Sequence, residues 1–455
     1  MSRHGDRSHV ASDSLLSDRF SRRGFLAAAG SGAAVTLAGC SGNGGGNGGG
    51  DEPIRIGGTY LLSGLAEALG AGSEAAAQVA VDTINENGGI NGRQIELEIR
   101  DHGDDPQAQV RSLVQEFGAD LLLGMTSSGV TLNTGPTWEQ LGVPITLTDI
   151  GTPWITEHDT DTYGSYYEED GTAAGIPNLF RTNSHTTHMT YAIAQFTADN
   201  YGDVTRIANI GPDYAYGQQT WDYYQAFLDG LGFEYEVVES QFPELGSGDM
   251  TPQITNIMNA DPELVFTSFW ASDTVTFTSQ AAEAGLFEEV VDVFDTIGGS
   301  ADNFEALGDT TPDGLHYSGW YWPGAYDTDE DQEFVDLYQE TYADDDSITA
   351  YPTFTGGSTW AAIQIYADAI EEVGGTDPEE IIDVMEGYTL ENDPRGSTTL
   401  SSEHHQANAS VVIGETSQDA DVPYEGAGLV NTQQYELDRE TALDLLEGTD
   451  LPPGM

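Results

Sequence analysis

The residues able to do chemistry are few in kind. Lysine is absent and all 13 bases are arginines, which excludes a Schiff-base lysine, a phosphate-cradling Gly-Lys-Ser/Thr loop and a Ser-x-x-Lys nucleophile. No Gly-x-Ser-x-Gly elbow occurs, so a hydrolase serine would lack its strained turn. Gly70-Ala71-Gly72-Ser73-Glu74-Ala75, with Glu96 and Glu98 downstream, matches a dinucleotide-binding turn only as an isolated hit. Asp327, Asp329 and Asp331 begin like a calcium loop. Gln332, however, stands where glycine is required and Tyr338 where a bidentate glutamate belongs, so a solvated acidic loop is expected. The pair His404-His405 has no Cys or third His nearby and reads as surface. No metal or cofactor is expected, and no nucleophile, base and orienting group arise together, which argues against an enzyme.

Charge narrows the partners. The 455 residues carry 77 Asp plus Glu against 13 Arg, a formal net charge of −64. Phosphate neutralisation needs a basic stripe, so nucleic acid is excluded as a partner. With 38% hydrophobic and 10% aromatic residues, the chain has the means to fold rather than remain disordered. Such a fold repels itself in dilute buffer, where the Debye length is about 30 Å at 0.01 M, and is relieved in molar salt, where it is about 3 Å. Together with the loss of every lysine, this points to an extreme halophile.

The first fifty residues read as an address. Arg22-Arg23-Gly24-Phe25-Leu26 resembles a twin-arginine export signal. The apolar run that follows, to Gly39, is diluted with Gly and Ala and shorter than the ~20 residues a membrane span needs. Leu37-Ala38-Gly39-Cys40 is similar to a lipoprotein box, with Cys40, the single cysteine, as the lipidated residue. Residues 1–40 are thus expected to be the signal and 41–52 a flexible glycine-rich linker. The folded part would be tethered at the outer face of the cytoplasmic membrane.

Beyond residue 53, strand-like and helix-like periods alternate. Ile54 to Leu62 and Ile95 to Ile99 read as strands around a helix carrying Ala76, Val79, Ala80 and Ile84. Asp105-Pro106 supplies an N-cap and a first-turn proline for a helix with Val110, Leu113 and Phe117 on one face. A strand at 121–123, a helix at 130–141 and a strand at 144–147 follow. After a loop at 157–177 the pattern restarts with helices near 187–200, 218–230 and 273–284 and strands at 206–210, 235–238, 263–269 and 290–294. Helices at 356–372 and 378–386 come last. This βα alternation predicts parallel sheets in two α/β lobes.

Several ordered segments carry a resemblance. Leu62-Ser63-Gly64, Asn87-Gly88-Gly89-Ile90-Asn91-Gly92, Asp101 with Asp105-Pro106, Gly124 with Ser127-Ser128, Phe180-Arg181-Thr182 and Asp213 with Tyr216-Gly217 are similar to the substrate-binding proteins of ABC importers of the branched-chain amino acid (leucine/isoleucine/valine-binding) type. The chain would be a haloarchaeal lipoprotein of that kind. The resemblance spans about residues 53 to 415. It implies a type I periplasmic-binding-protein fold: two lobes, each a parallel sheet flanked by helices, joined by three crossover segments near 182–186, 317–322 and 396–410. Lobe 1 would comprise 53–181 plus 319–400, and lobe 2 182–318 plus 401–455. The implied partners are a small-molecule ligand, an amino acid or related solute, and the permease and ATPase subunits of the importer, with the receptor itself a monomer.

The resemblance also implies a site. Ser128 matches the serine that holds the ligand carboxylate, with Ser127 beside it. The next loop, Thr148-Asp149-Ile150-Gly151-Thr152-Pro153, departs from the family pattern: the threonine position falls on Gly151, leaving Thr152 as a substitute. Tyr216 and Trp270 match aromatic neighbours of the ligand, Asp295 lies near the acidic residue that receives the ammonium, and Leu69 occupies an aromatic position. These departures leave other amino acids, amides, urea and small carboxylates open, and a sensory receptor reporting to a transducer is the alternative role.

Overall fold

The structure is a computed structural model that describes residues 52–103, 105–163, 175–345 and 347–455. Residues 1–51, which contain the expected export signal, Cys40 and nearly all of the expected linker, lie outside the described residues. The chain opens with β1 (Ile54–Tyr60), α1 (Glu67–Glu86), β2 (Ile95–Asp101), α2 (Pro106–Ser112), β3 (Leu121–Thr126), α3 (Ser128–Leu141), β4 (Ile145–Asp149), α4 (Thr160–Tyr163) and β5 (Leu179–Arg181). These strands form one parallel sheet in the order β2-β1-β3-β4-β5, with Ile56 of β1 opposite Leu97 and Leu121. All six residues of β3 are buried, as expected for a central parallel strand covered by helices on both faces. Asp105 caps α2 through Ala108 N (3.0 Å) ahead of Pro106, the local chemistry its sequence predicts.

The second sheet begins after α5 (Thr186–Asn200). It contains β6 (Arg206–Ile210), α6 (Ala215–Gly230), β7 (Glu236–Gln241), α7 (Thr251–Asn259), β8 (Leu264–Thr267), α8 (Ser272–Ala284), α9 (Leu286–Glu289), β9 (Asp292–Asp295), α10 (Ala301–Leu307) and β10 (His316–Gly319). The chain then leaves for α11 (Asp329–Tyr342), α12 (Gly356–Val373) and α13 (Pro378–Met385), of which α12 packs against α1 and β4 of the first sheet. A hairpin of β11 (Thr389–Asp393) and β12 (Gly396–Thr399) precedes the return to β13 (Val411–Ser417), β14 (Gly428–Tyr435) and α14 (Arg439–Leu445). The second sheet runs β14-β13-β10-β9-β8-β6-β7. Three segments therefore join the sheets: after β5, after β10 and before β13.

The structure corrects several expectations. The second sheet is mixed, because β13 runs antiparallel to β10 and β14 antiparallel to β13; the return to this sheet is a hairpin rather than a βα unit. Gly70 and Gly72 lie inside α1 rather than in a turn between strand and helix. A Cβ on Gly70 would sit 2.2 Å from Leu61 O and one on Gly72 2.5 Å from Thr353, so these glycines allow close helix packing. Asp331 is buried inside the first turn of α11, where it accepts from Tyr321 OH (2.5 Å) and Gly324 N (2.7 Å). His404 and His405 are buried too. The His405 ring stacks on Phe180 at 4.2 Å, while Nδ1 of His404 accepts from His158 N (3.3 Å). Residues 452–455 are buried between elements of both lobes: Tyr223 OH donates to Pro452 O and Arg439 Nη1 to Met455 O (2.6 Å), while Gly454 N donates to Glu157 Oε2 (3.0 Å) and Thr156 Oγ1 to Gly454 O (2.6 Å).

Candidate ligand-binding site

Parallel strands deliver their C-terminal ends to one edge of a sheet, where the following helices present N-H groups with no partner of their own. Both sheets do this toward a shared cavity of about 270 Å³, its mouth included, lined by Thr126, Ser127, Ser128, Asp149, Gly151, Tyr214, Tyr216, Trp270, Ile297 and Trp320. Thr126 ends β3 and Ser128 begins α3; Asp149 ends β4. From the second sheet, Tyr214 is the N-cap of α6, Trp270 follows β8, Ile297 follows β9 and Trp320 follows β10.

Ser128 is the first residue of α3 and not its cap. The cap position belongs to Ser127, whose side chain makes no capping hydrogen bond and whose backbone has φ +76°, a conformation few non-glycine residues adopt. The Ser128 hydroxyl accepts from Thr152 N (3.1 Å), which leaves its proton free to donate into the cavity. Asp149 is 6% exposed and its Oδ2 has no hydrogen-bond partner among the described residues. Burial pushes its carboxyl well above the usual carboxylate range, with the buried Asp302 adding repulsion. Gly151 closes the gap between lobes: a Cβ there would lie 2.6 Å from the Tyr216 ring. Tyr216 OH is in turn held by Thr296 Oγ1 at 2.9 Å.

Six residues anticipated from the sequence therefore meet at the cavity: Ser127, Ser128, Asp149, Gly151, Tyr216 and Trp270. Four do not line it. Thr148 is buried behind the wall, hydrogen-bonded to Tyr60 OH (2.8 Å) and accepting on its carbonyl from Ser358 Oγ (2.8 Å). Thr152 presents its backbone N-H to Ser128 and its carbonyl to Arg181 (2.6 Å), while its hydroxyl has no partner among the described residues. Leu69 is fully buried in the hydrophobic cluster that backs Tyr216, Trp270 and Trp320. Asp295 ends β9 beneath the cavity, with Oδ1 accepting from Ile297 N (3.2 Å) and Gly298 N (2.8 Å). Burial pushes its carboxyl up to about 8, against the lowering by those two N-H groups.

The sequence reading missed Thr126, Tyr214, Ile297 and Trp320. Each lies at a strand end or follows one by a few residues, and that position is the one signal available. It also missed the brace behind the loop after β4. Arg181 is fully buried and donates to Ile150 O (3.3 Å) and Thr152 O (2.6 Å), and also to Thr156 Oγ1 and Gln406 Oε1. These acceptors are all uncharged, and desolvation lowers the basicity of the guanidinium. Its donors are spent on fixing the loop that carries Gly151. Among the described residues, no arginine lines the cavity.

The family model for periplasmic binding proteins matches residues 53–421. The Leu/Ile/Val-binding protein homolog 1 of Brucella abortus is 23% identical over 335 residues, covering 73% of this chain and 82% of the relative. The leucine-, isoleucine-, valine-, threonine- and alanine-binding protein of Pseudomonas aeruginosa is 23% identical over 372 residues, covering 81% and 91%. Among solved structures, the solute-binding protein of an ABC transporter from R. palustris in complex with 4-hydroxybenzoate superposes with a TM-score of 0.71 at 18% identity, over 85% of this chain and 99% of that one. A leucine-binding protein from Thermotoga maritima gives 0.66 at 18% identity, over 83% and 98%. The matched length, the two sheets with three connecting segments and the cavity at their strand ends lead to one conclusion: the chain belongs to the periplasmic binding protein family, a family of solute-binding receptors, in the group that contains the Leu/Ile/Val-binding relatives.

Proposed function

We propose that this protein is the externally tethered receptor of an ABC importer, anchored through Cys40 after twin-arginine export, and that it encloses a small amino acid between its lobes for delivery to the permease. The observation that carries the reading is the pairing of Ser128 at the start of α3 with the partnerless Oδ2 of Asp149 in one cavity built by both sheets. The ligand carboxylate meets the Ser128 hydroxyl and the first N-H groups of α3, where the helix dipole favours an anion. Rings from the second sheet cover its apolar part, so the ligand is a contact shared by both lobes and drives their closure.

Ser128→Ala tests the reading: ligand affinity falls about tenfold, the worth of one hydrogen bond to a charged group, beside a loss of about 1 kcal/mol in unliganded stability because the buried Thr152 N loses its acceptor. Lost stability with intact affinity would reduce Ser128 to a structural role. Four aromatic side chains around the cavity favour a second reading, an aromatic carboxylate like the 4-hydroxybenzoate bound by the R. palustris neighbour. Thermal unfolding against leucine and 4-hydroxybenzoate separates the two. Membrane association that survives Cys40→Ser would refute the lipid anchor.

A further inference from the structure

We propose that the cavity is a cation box whose preferred solute carries an N-alkylated ammonium, with Asp149 as the counter-charge and Tyr214, Tyr216, Trp270 and Trp320 as the walls. The proposal rests on the receptor reading above and names the chemistry of the ligand end that lies opposite the carboxylate.

Three observations converge. Asp149 is the single ionisable acid or base of ordinary pH among the described lining residues apart from the tyrosines, and its Oδ2 has no partner there. Burial holds this carboxyl well above the usual range, so the acid keeps its proton until a cation stands beside it to favour the carboxylate, and the described lining supplies neither Arg nor His. The missing positive charge therefore belongs to the solute. Secondly, the walls facing Asp149 are rings. Tyr214 and Tyr216 stand 6.1 Å apart with planes inclined at 42°, two walls of a corner, and Trp270 and Trp320 complete the lining. Ring faces attract a cation through their quadrupole, most strongly when it is desolvated.

Thirdly, three polar atoms of the lining are engaged, and the ring atom without a hydrogen-bond partner among the described residues, Trp270 Nε1, is a donor that cannot receive an ammonium. Tyr216 OH pairs with Thr296 Oγ1 (2.9 Å), Trp320 Nε1 donates to Met189 Sδ (2.8 Å) and Ser128 Oγ already accepts from Thr152 N. A primary ammonium brings three donors that want acceptors. An alkylated nitrogen brings its charge with apolar groups instead, and those groups bury against the ring faces without leaving donors unmet. Asp149 comes from the first sheet and the rings at Tyr214, Tyr216 and Trp270 from the second, so the cation bridges the lobes.

The experiment is thermal unfolding of the full chain in molar salt with leucine, N,N,N-trimethylglycine or benzoate, repeated on Asp149→Asn and Trp270→Leu. The expected result is a midpoint raised by trimethylglycine at least as much as by leucine, with apparent affinity for trimethylglycine reduced tenfold or more in each variant. Both variants are read by the ligand-induced shift, so a changed unliganded midpoint does not confound them. A response to leucine without one to trimethylglycine overturns the alkylated class and leaves the amino acid receptor standing. A response to benzoate that survives Asp149→Asn overturns the cation box and leaves a carboxylate receptor. Silence toward all three from a folded sample overturns the box and the amino acid reading together.

Discussion

Glu157→Gln is the most informative single change away from the cavity, because Glu157 ties the C-terminal segment to the loop that carries Gly151. Its side chain is fully buried. Oε1 accepts from Arg439 Nη2 (3.1 Å) and Asp159 N (2.8 Å), and Oε2 from Arg439 Nη1 (3.1 Å) and Gly454 N (3.0 Å). Glutamine keeps the volume and one oxygen but turns an NH2 toward two of these donors and removes the charge. Hydrogen bonds to charged groups are worth about 1.5–3 kcal/mol each. Arg439 is 24% exposed, so part of the Coulomb attraction is already screened, and a loss of about 3 kcal/mol is expected. With an unfolding entropy of roughly 2.1 cal/mol/K per residue, some 400 folded residues give about 0.8 kcal/mol/K, hence a midpoint lowered by about 4 °C. Calorimetry in molar salt is the assay, since a buried pair resists screening. The exposed pair Arg55–Glu96 (3.3 Å) is the control: Arg55→Gln should move the midpoint by less than about 1 °C. A Glu157→Gln midpoint within that same margin, or additive effects with Arg439→Met in a double-mutant cycle, refutes the reasoning.

Three further outcomes are expected. Asp295 has a folded-state value near 8, above its unfolded one, so between about pH 4 and pH 8 the folded state holds a proton that the unfolded state has lost. Its contribution therefore falls as pH rises through that window, at up to roughly 1.4 kcal/mol per pH unit. Asp295→Asn, which can still accept from Ile297 N and Gly298 N, should flatten the decline in chemical-denaturation titrations; an unchanged slope would exclude the residue as its source. Gly151→Ala should displace the Tyr216 ring by its 2.6 Å clash and weaken ligand binding tenfold or more by calorimetric titration, and unchanged affinity would show that the two lobes do not close on this contact. Dilution from molar salt to about 0.01 M should lower the unfolding midpoint steeply because −64 charges lose their screening; a salt-independent midpoint would argue against halophilic adaptation.

The alternation of elements was legible because a parallel βα unit writes itself locally: apolar strand, capped helix, apolar strand. Asp105-Pro106 and Asp377-Pro378 announce helix starts that the structure contains. Ser127, Ser128, Asp149 and Tyr216 were legible through the resemblance to the solute-binding family, whose pattern these stretches match or adjoin. Trp320 and Tyr214 follow strand ends, but neither has a local pattern that separates a cavity wall from packing. His404, His405 and Asp331 read as solvated because they are polar; their burial follows from partners elsewhere in the fold, Phe180 and Leu179 for His405 and Tyr321 for Asp331.

The sequence by itself determined the charge, the absence of lysine chemistry, the α/β class and the family. Each of these is a property of composition or of residues close along the chain. Tertiary structure alone decided which polar groups keep a free valence. Arg181 and Asp149 are both charged residues at strand ends, β5 and β4, and nothing local distinguishes them. Folding commits the arms of the first to the backbone of residues 150–152 and to Thr156 and Gln406, and leaves Oδ2 of the second unpaired beside four rings. The bond from Arg439 to Glu157 spans 282 positions. Such pairings leave no periodic trace in sequence, because they depend on where two lobes and three connecting segments bring the chain back to itself.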